Sequence, residues 1–178
     1  MIITGTDPSF RNWGTAHAKI LDGKLEIASL GLQQTAKNKT IKRRSHDDIE
    51  SSRSLFNFFQ ESISKADVLI TELPSGSQSA SAAKAYGVCI GILSSCSIPL
   101  IGVSPLEVKL CSVGDPKATK REMIEWATGL YPHLNWKTYK RKGEIQYSGL
   151  NEHMADAISA IHAGIKTEEF QKLIKEQI

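Results

Sequence analysis

Two short apolar runs in this chain end in the same way, on an acid followed closely by proline. Ile2 and Ile3 open the first and Asp7-Pro8-Ser9 stops it; Val68, Leu69 and Ile70 open the second, which stops at Glu72-Leu73-Pro74. Runs of this length bounded by turn formers predict buried strands, with each acid at a carboxyl end. Trp13 to Ile20 and Lys24 to Leu32, separated by Asp22-Gly23, predict two further strands that make an antiparallel meander with the first. Alternation in the third is imperfect, which predicts a sheet covered in part on both sides. Pro99 to Val103 predicts a last short strand.

Helical spacing accounts for most of the remainder. A helix is predicted from Asp47 to about Ser64, with Ile49, Leu55, Phe58, Phe59 and Ile63 as its core-facing stripe. Ser75 to Ser95 predicts a helix of small residues, Ala83, Gly87 and Gly91 among them, suited to tight packing or to a subunit contact. Ser104-Pro105 opens a short helix, and Thr119 to Leu130 predicts another with Met123, Ile124, Ala127 and Leu130 inward. From Asn151, the repeat Met154, Ile158, Ile161 and Ile165 marks a buried stripe, and Thr167 caps a final amphipathic helix to Ile178. Tyr131 to Ser148 has no clear period.

Composition narrows the class. A chain of 178 residues suits one α/β domain, spanning residues 1–178. Three cysteines with no Cys-x-x-Cys pair argue against a disulfide framework or a zinc knuckle, and the longest apolar run, Val88 to Leu93, is too short for a membrane span. These features point to a cytoplasmic protein. The net charge is only +3, yet the basic residues bunch. Lys42, Arg43 and Arg44 close one polar stretch, Lys117 and Arg121 flank a helix start, and Lys140, Arg141 and Lys142 lie among Trp136, Tyr139 and Tyr147. Cations interleaved with aromatics suit a nucleic-acid strand, although a solvated loop has the same composition.

The acids acquire meaning as a set. Asp7 alone is a turn former, and His153 with Asp156, three apart on one helix, is alone a surface pair. Glu72 at the end of a buried strand needs a cation or several donors. Together, Asp7, Glu72, His153 and Asp156 supply the hard oxygen ligands and the proton carrier that phosphodiester hydrolysis over two Mg²⁺ ions requires, with Mn²⁺ as a substitute.

At these positions the chain resembles the RuvC-type Holliday-junction resolvases of the ribonuclease H-like fold. The strand through Gly5, Asp7, Pro8 and Ser9 is similar to their opening motif, and Thr71-Glu72 with Ala85-x-Gly87 to their second. Ser104-Pro105-x-x-Val108-Lys109 with Ala118-x-Lys120 is similar to the third, and His153-x-x-Asp156-Ala157 to the last. The resemblance implies a mixed five-stranded sheet, an antiparallel meander plus parallel strands, with helices on both faces. It also implies a homodimer through the Ser75 to Ser95 helix, four-way or other branched DNA as substrate, and Lys109 and Lys120 near the scissile phosphate. Cellular members place an aromatic shortly after the second-motif acid, whereas Leu73-Pro74-Ser75 follows here, which places the chain nearer the phage-borne branch.

Two other functions share much of this pattern. A nuclease of the same fold acting on RNA–DNA hybrid would prefer a substrate carrying 2′-hydroxyls. A catalytically silent branched-DNA-binding module would keep the basic patches without matched carboxylates. A sugar-kinase or actin-like ATPase needs a second lobe for which this length leaves no room.

Overall fold

The computed structural model describes residues 1–36, 43–73, 76 and 79–176. Of the basic stretch before the first helix, Lys42 therefore lies outside the described residues, as do Pro74 and Ser75. Five strands form the main sheet: β1 (Ile2–Asp7), β2 (Asn12–Leu21), β3 (Lys24–Gln34), β4 (Val68–Glu72) and β5 (Leu100–Val103), in the order β3-β2-β1-β4-β5. β1, β2 and β3 run antiparallel to one another, and β4 and β5 continue parallel to β1. Asp22 and Gly23, both at positive φ, close the β2–β3 turn.

Side chains alternate across β1 and β4, and each face has its own helical layer. Leu69, with Trp13 and Phe10, packs against Leu55, Phe59 and Ile63 of α1 (Arg44–Ile63) and Cys89, Ile92 and Leu93 of α2 (Ala80–Leu93). Ile3, Val68, Ile70, Ile101 and Val103 face the other way. They meet α3 (Pro105–Ser112), α4 (Lys120–Leu130), α5 (Asn151–Gly164) and α6 (Glu168–Glu176) through Val108, Met123, Met154, Ile158, Ile161 and Phe170. Burying Met154, Ile158 and Ile161 of α5 contributes roughly 2 kcal/mol each. Ser104 and Thr119 cap α3 and α4 with complete capping boxes, so Glu107 and Glu122 supply the acid that a helix start prefers.

α5 lies directly on the sheet because glycines open the way. A Cβ on Gly5 of β1 would overlap the Ala157 carbonyl and Ile161, and one on Gly14 of β2 would overlap the His153 carbonyl. These two positions let the helix backbone touch the strands.

Several boundaries differ from the predicted ones. α1 starts at Arg44, three residues early, and its buried stripe is Asp47, Ser51, Leu55, Phe59 and Ile63. Ile49 is 53% exposed, because it falls between rows of that four-residue repeat. α2 starts at Ala80, where the Ser79 hydroxyl accepts from Ala82 N–H, instead of at Ser75. Leu130 is exposed at the end of α4. The stretch without a period contains a hairpin, β6 (Thr138–Arg141) and β7 (Glu144–Tyr147), separate from the main sheet. Among the described residues no helix is long and apolar enough to cross a membrane.

Candidate active site

Strand register decides where the two strand-end acids go. β1 and β4 pair in parallel from Ile3 with Val68 to Thr6 with Thr71, so one step on Asp7 lies alongside Glu72. Ile3, Gly5 and Asp7 share one face of β1, and Val68, Ile70 and Glu72 share the same face of β4. That face is the one α5 covers. Across 146 residues of chain, His153 Nδ1 meets Asp7 Oδ2 at 2.6 Å. An ionised carboxylate only accepts, so Nδ1 carries the proton and donates, leaving Nε2 on the far side of the ring. Asp156 follows one turn later on the same helix.

The electrostatics are those of crowded, partly dehydrated acids. Burial raises the Glu72 carboxyl to about 7, the negative charge of Asp7 adds to the effect, and Lys109 works against both. Burial likewise raises Asp156, to about 9, with Asp7, Glu72 and Glu152 pushing in the same direction. Burial by itself would lower His153, but its hydrogen bond to Asp7 and the charge on that carboxylate outweigh burial and raise it. Perturbed acids grouped in a cleft are a signature of functional sites.

Two lysines face these acids. A cleft of about 410 Å³ is lined by Glu72, Lys109, Lys120, Glu152 and Asp156 over an apolar floor that includes Val108 and Met123. Lys120 Nζ pairs with Glu152 Oε1 at 2.8 Å, which raises the lysine further, and its side chain stays 78% exposed. Glu152 escaped the sequence reading, because one more acid in a helical first turn is ordinary; its place in the cleft comes from α5 packing beside α4. The remaining basic residues lie elsewhere. Arg43 and Arg44 start α1, across the sheet from α5. Lys117 is exposed before α4, and Arg121 is held by Glu125 at 2.6 Å. Lys140, Arg141 and Lys142 are exposed on the β6–β7 hairpin.

The donor set suits a hard divalent cation. Among the described residues none donates a hydrogen bond to the Glu72 or Asp156 carboxyl, so little beyond the charge of Lys109 stabilises their charged forms. A cation bound by carboxylate oxygens would supply that stabilisation. Glu72, Glu152 and Asp156 face one cleft without being closed into a ligand shell: among the described residues no three His, Cys, Asp or Glu side chains are grouped closely enough to hold an ion as they stand. Asp7 is instead engaged with His153.

No protein-family model matches the chain. It is 25% identical over 125 residues to the crossover junction endodeoxyribonuclease RuvC of Prochlorococcus marinus strain MIT 9312, an alignment covering 70% of this chain and 78% of that protein. Thermus thermophilus RuvC, solved in complex with Holliday junction substrate, superposes with a TM-score of 0.63 at 17% identity over 92% of each chain. The chain is RuvC-like in sequence and in fold. The fowlpox virus Holliday junction resolvase superposes with a TM-score of 0.51 at 14% identity, covering 90% of this chain and 94% of that one. The RuvC-like fold thus accounts for the mixed five-stranded sheet with a helical layer on each face.

Proposed function

We propose that this RuvC-like chain is a divalent-metal-dependent endonuclease that resolves four-way and other branched DNA, with residues 1–178 acting as one catalytic unit. The observation that carries this reading is the convergence of Asp7, Glu72 and Asp156 with His153, Lys109 and Lys120 at the strand ends of the fold. Asp7, Glu72 and Asp156, with His153, would hold two Mg²⁺ or Mn²⁺ ions. Such ions lower the pKa of water and neutralise charge on the attacking and leaving oxygens of an in-line displacement.

The chain's own side chains then have distinct tasks. Lys109 and Lys120 offset the charge of a phosphate entering the cleft. His153, its Nδ1 engaged by Asp7, has one free nitrogen, Nε2, which would serve either as a metal ligand or as the proton carrier for the attacking water or the departing oxygen. The raised carboxyls of Glu72 and Asp156 make the cleft avid for cations, since an ion relieves their mutual repulsion.

A homodimer through α2 fits the same reading. Ala83, Gly87, Ile90 and Gly91 are exposed along that helix, and a Cβ at Gly87 or Gly91 would meet nothing within 4 Å among the described residues. Glycine inside a helix costs about 1 kcal/mol relative to alanine. Among the described residues nothing calls for glycine at these two positions, and the close approach of another backbone would. Two such sites facing two strands would give paired nicks.

The test offers matched four-way, flap, fork, linear duplex and RNA–DNA hybrid substrates with Mg²⁺ and maps the nicks. Branched DNA should be cut near the branch point, and Asp7→Asn should reduce cutting roughly a hundredfold or more while junction affinity stays within a few-fold. Preference for the hybrid would replace this reading with the RNA-directed one. Affinity that falls together with cutting in Asp7→Asn would refute the separation of positioning from chemistry.

A further inference from the structure

The segment between α4 and α5 is the part of the described chain least accounted for by the cleft. Its hairpin pairs Thr138 with Tyr147, Tyr139 with Gln146, Lys140 with Ile145 and Arg141 with Glu144, around Lys142 and Gly143, both at positive φ. A lone two-stranded hairpin is marginal in water. This one is fastened at its base by Asn151, the first residue of α5, whose amide is fully buried. Asn151 Oδ1 accepts from Lys137 N–H at 2.9 Å and Nδ2 donates to the Lys137 carbonyl at 2.8 Å. Ser148 N–H donates to the same carbonyl at 2.9 Å. Asn151 stands two positions before His153, so the hairpin is tied to the helical turn that carries the site.

Between this hairpin and α4 runs a groove of about 540 Å³, lined by Lys120, Ile124, Tyr139, Gln146, Tyr147 and Glu152 among others. Lys120 and Glu152 also line the carboxylate cleft, so groove and cleft share a wall. Tyr139 and Tyr147 are 46% and 45% exposed, large rings presented to water by a hairpin with no core of its own. Tyr139 donates its hydroxyl to Gln146 Oε1 at 3.1 Å across the strands, which fixes the ring at little entropic cost on binding. Exposed Lys140, Arg141 and Lys142 surround the hairpin tip. A fixed aromatic face, a polar edge beside it and cations around it form the combination that binds single-stranded nucleic acid.

We propose that this groove holds an unpaired nucleobase of the DNA strand being cut, stacked against Tyr139, while the backbone of that strand continues into the carboxylate cleft. The identity of the strand rests on the nuclease reading above. A paired base offers both faces to its neighbours in the stack and cannot enter. Bases at a branch point have lost part of that stacking and cost least to extrude.

The test is an abasic scan of a four-way junction, five nucleotides to either side of the branch on each strand, read as the dissociation constant of the Asp7→Asn protein. One position should weaken binding by roughly 5- to 100-fold when its base is removed, the range of aromatic–base stacking. Adding Tyr139→Leu should weaken the intact junction to the same level and abolish the abasic penalty. Tyr139→Phe and Tyr139→Trp should keep it, which separates stacking from a change in the hairpin's fold. Indifference to every abasic position, or a penalty that survives Tyr139→Leu, overturns the proposal. Binding needs no cleavage, so failure of the unsubstituted protein to cut any branched DNA would refute the nuclease reading as a separate result.

Discussion

Neutralising Glu72 should stabilise the metal-free protein while removing its function, and the size of the gain can be worked from the site. The Glu72 carboxyl is raised from an ordinary 4.5 to about 7, chiefly by burial and then by the charge of Asp7. Below pH 4.5 the side chain is protonated whether the chain is folded or not, and it contributes no pH dependence. Between 4.5 and 7 the folded chain retains a proton that the unfolded chain has released, so stability falls as pH rises. Above 7 both forms are ionised and the full cost is in place. A difference of about 2.5 pH units, at about 1.4 kcal/mol each, sets that cost at about 3.5 kcal/mol as an upper bound. Glu72→Gln keeps the shape and cannot ionise. In urea unfolding with EDTA, it should exceed the unsubstituted protein by about 1 to 3 kcal/mol at pH 8, and the gap should close toward pH 4.5. Asp156 is raised by the same causes and steepens the decline of the unsubstituted protein toward pH 9. Added Mg²⁺ should recover stability at pH 8 for the unsubstituted protein and much less for the variant. A Gln variant no more stable at pH 8, or an unsubstituted protein of constant stability from pH 5 to 8, would show that these acids are not held in a dehydrated cluster.

Three further variants test other parts of the molecule. Gly14→Ala places a Cβ against the His153 carbonyl and should cost about 1 to 3 kcal/mol in denaturant unfolding, with cleavage falling more than stability explains because α5 must move off β2; a neutral change would mean that the helix has slack there. Joint neutralisation of Lys42, Arg43 and Arg44 should weaken junction affinity and flatten its salt dependence, and an unchanged salt slope would remove that stretch from the DNA interface. Gly87→Arg sets a charge on the open face of α2, where among the described residues nothing lies within 4 Å of an added Cβ, and should give a monomer in light scattering without loss of thermal stability. A dimer that survives it forms through another surface.

The sequence by itself determined the two acid-ended strands, the stripe of α5 and, apart from the β6–β7 hairpin, the order of the elements between them. Those signals are local: a buried strand must be apolar and must end on turn chemistry, and a helix covering a sheet must repeat its apolar residues at about 3.6. Ile49 and Leu130 show the limit of that reading, since each fits a periodic run but only the packing partner decides which row of a helix is covered. The β6–β7 hairpin left no trace because its residues are largely exposed, so no apolar alternation was needed, and its Lys142-Gly143 turn lacks the Asn-Gly or Asp-Gly signature of tight hairpins. Tertiary structure alone decided the chemistry of the site. Parallel register set Asp7 beside Glu72, and Gly5 and Gly14 let α5 lie close enough for His153 to reach Asp7. The same packing brought Glu152 against Lys120. Carboxyl groups change their acidity through burial and through neighbours distant in the chain, and neither quantity exists until the chain has folded.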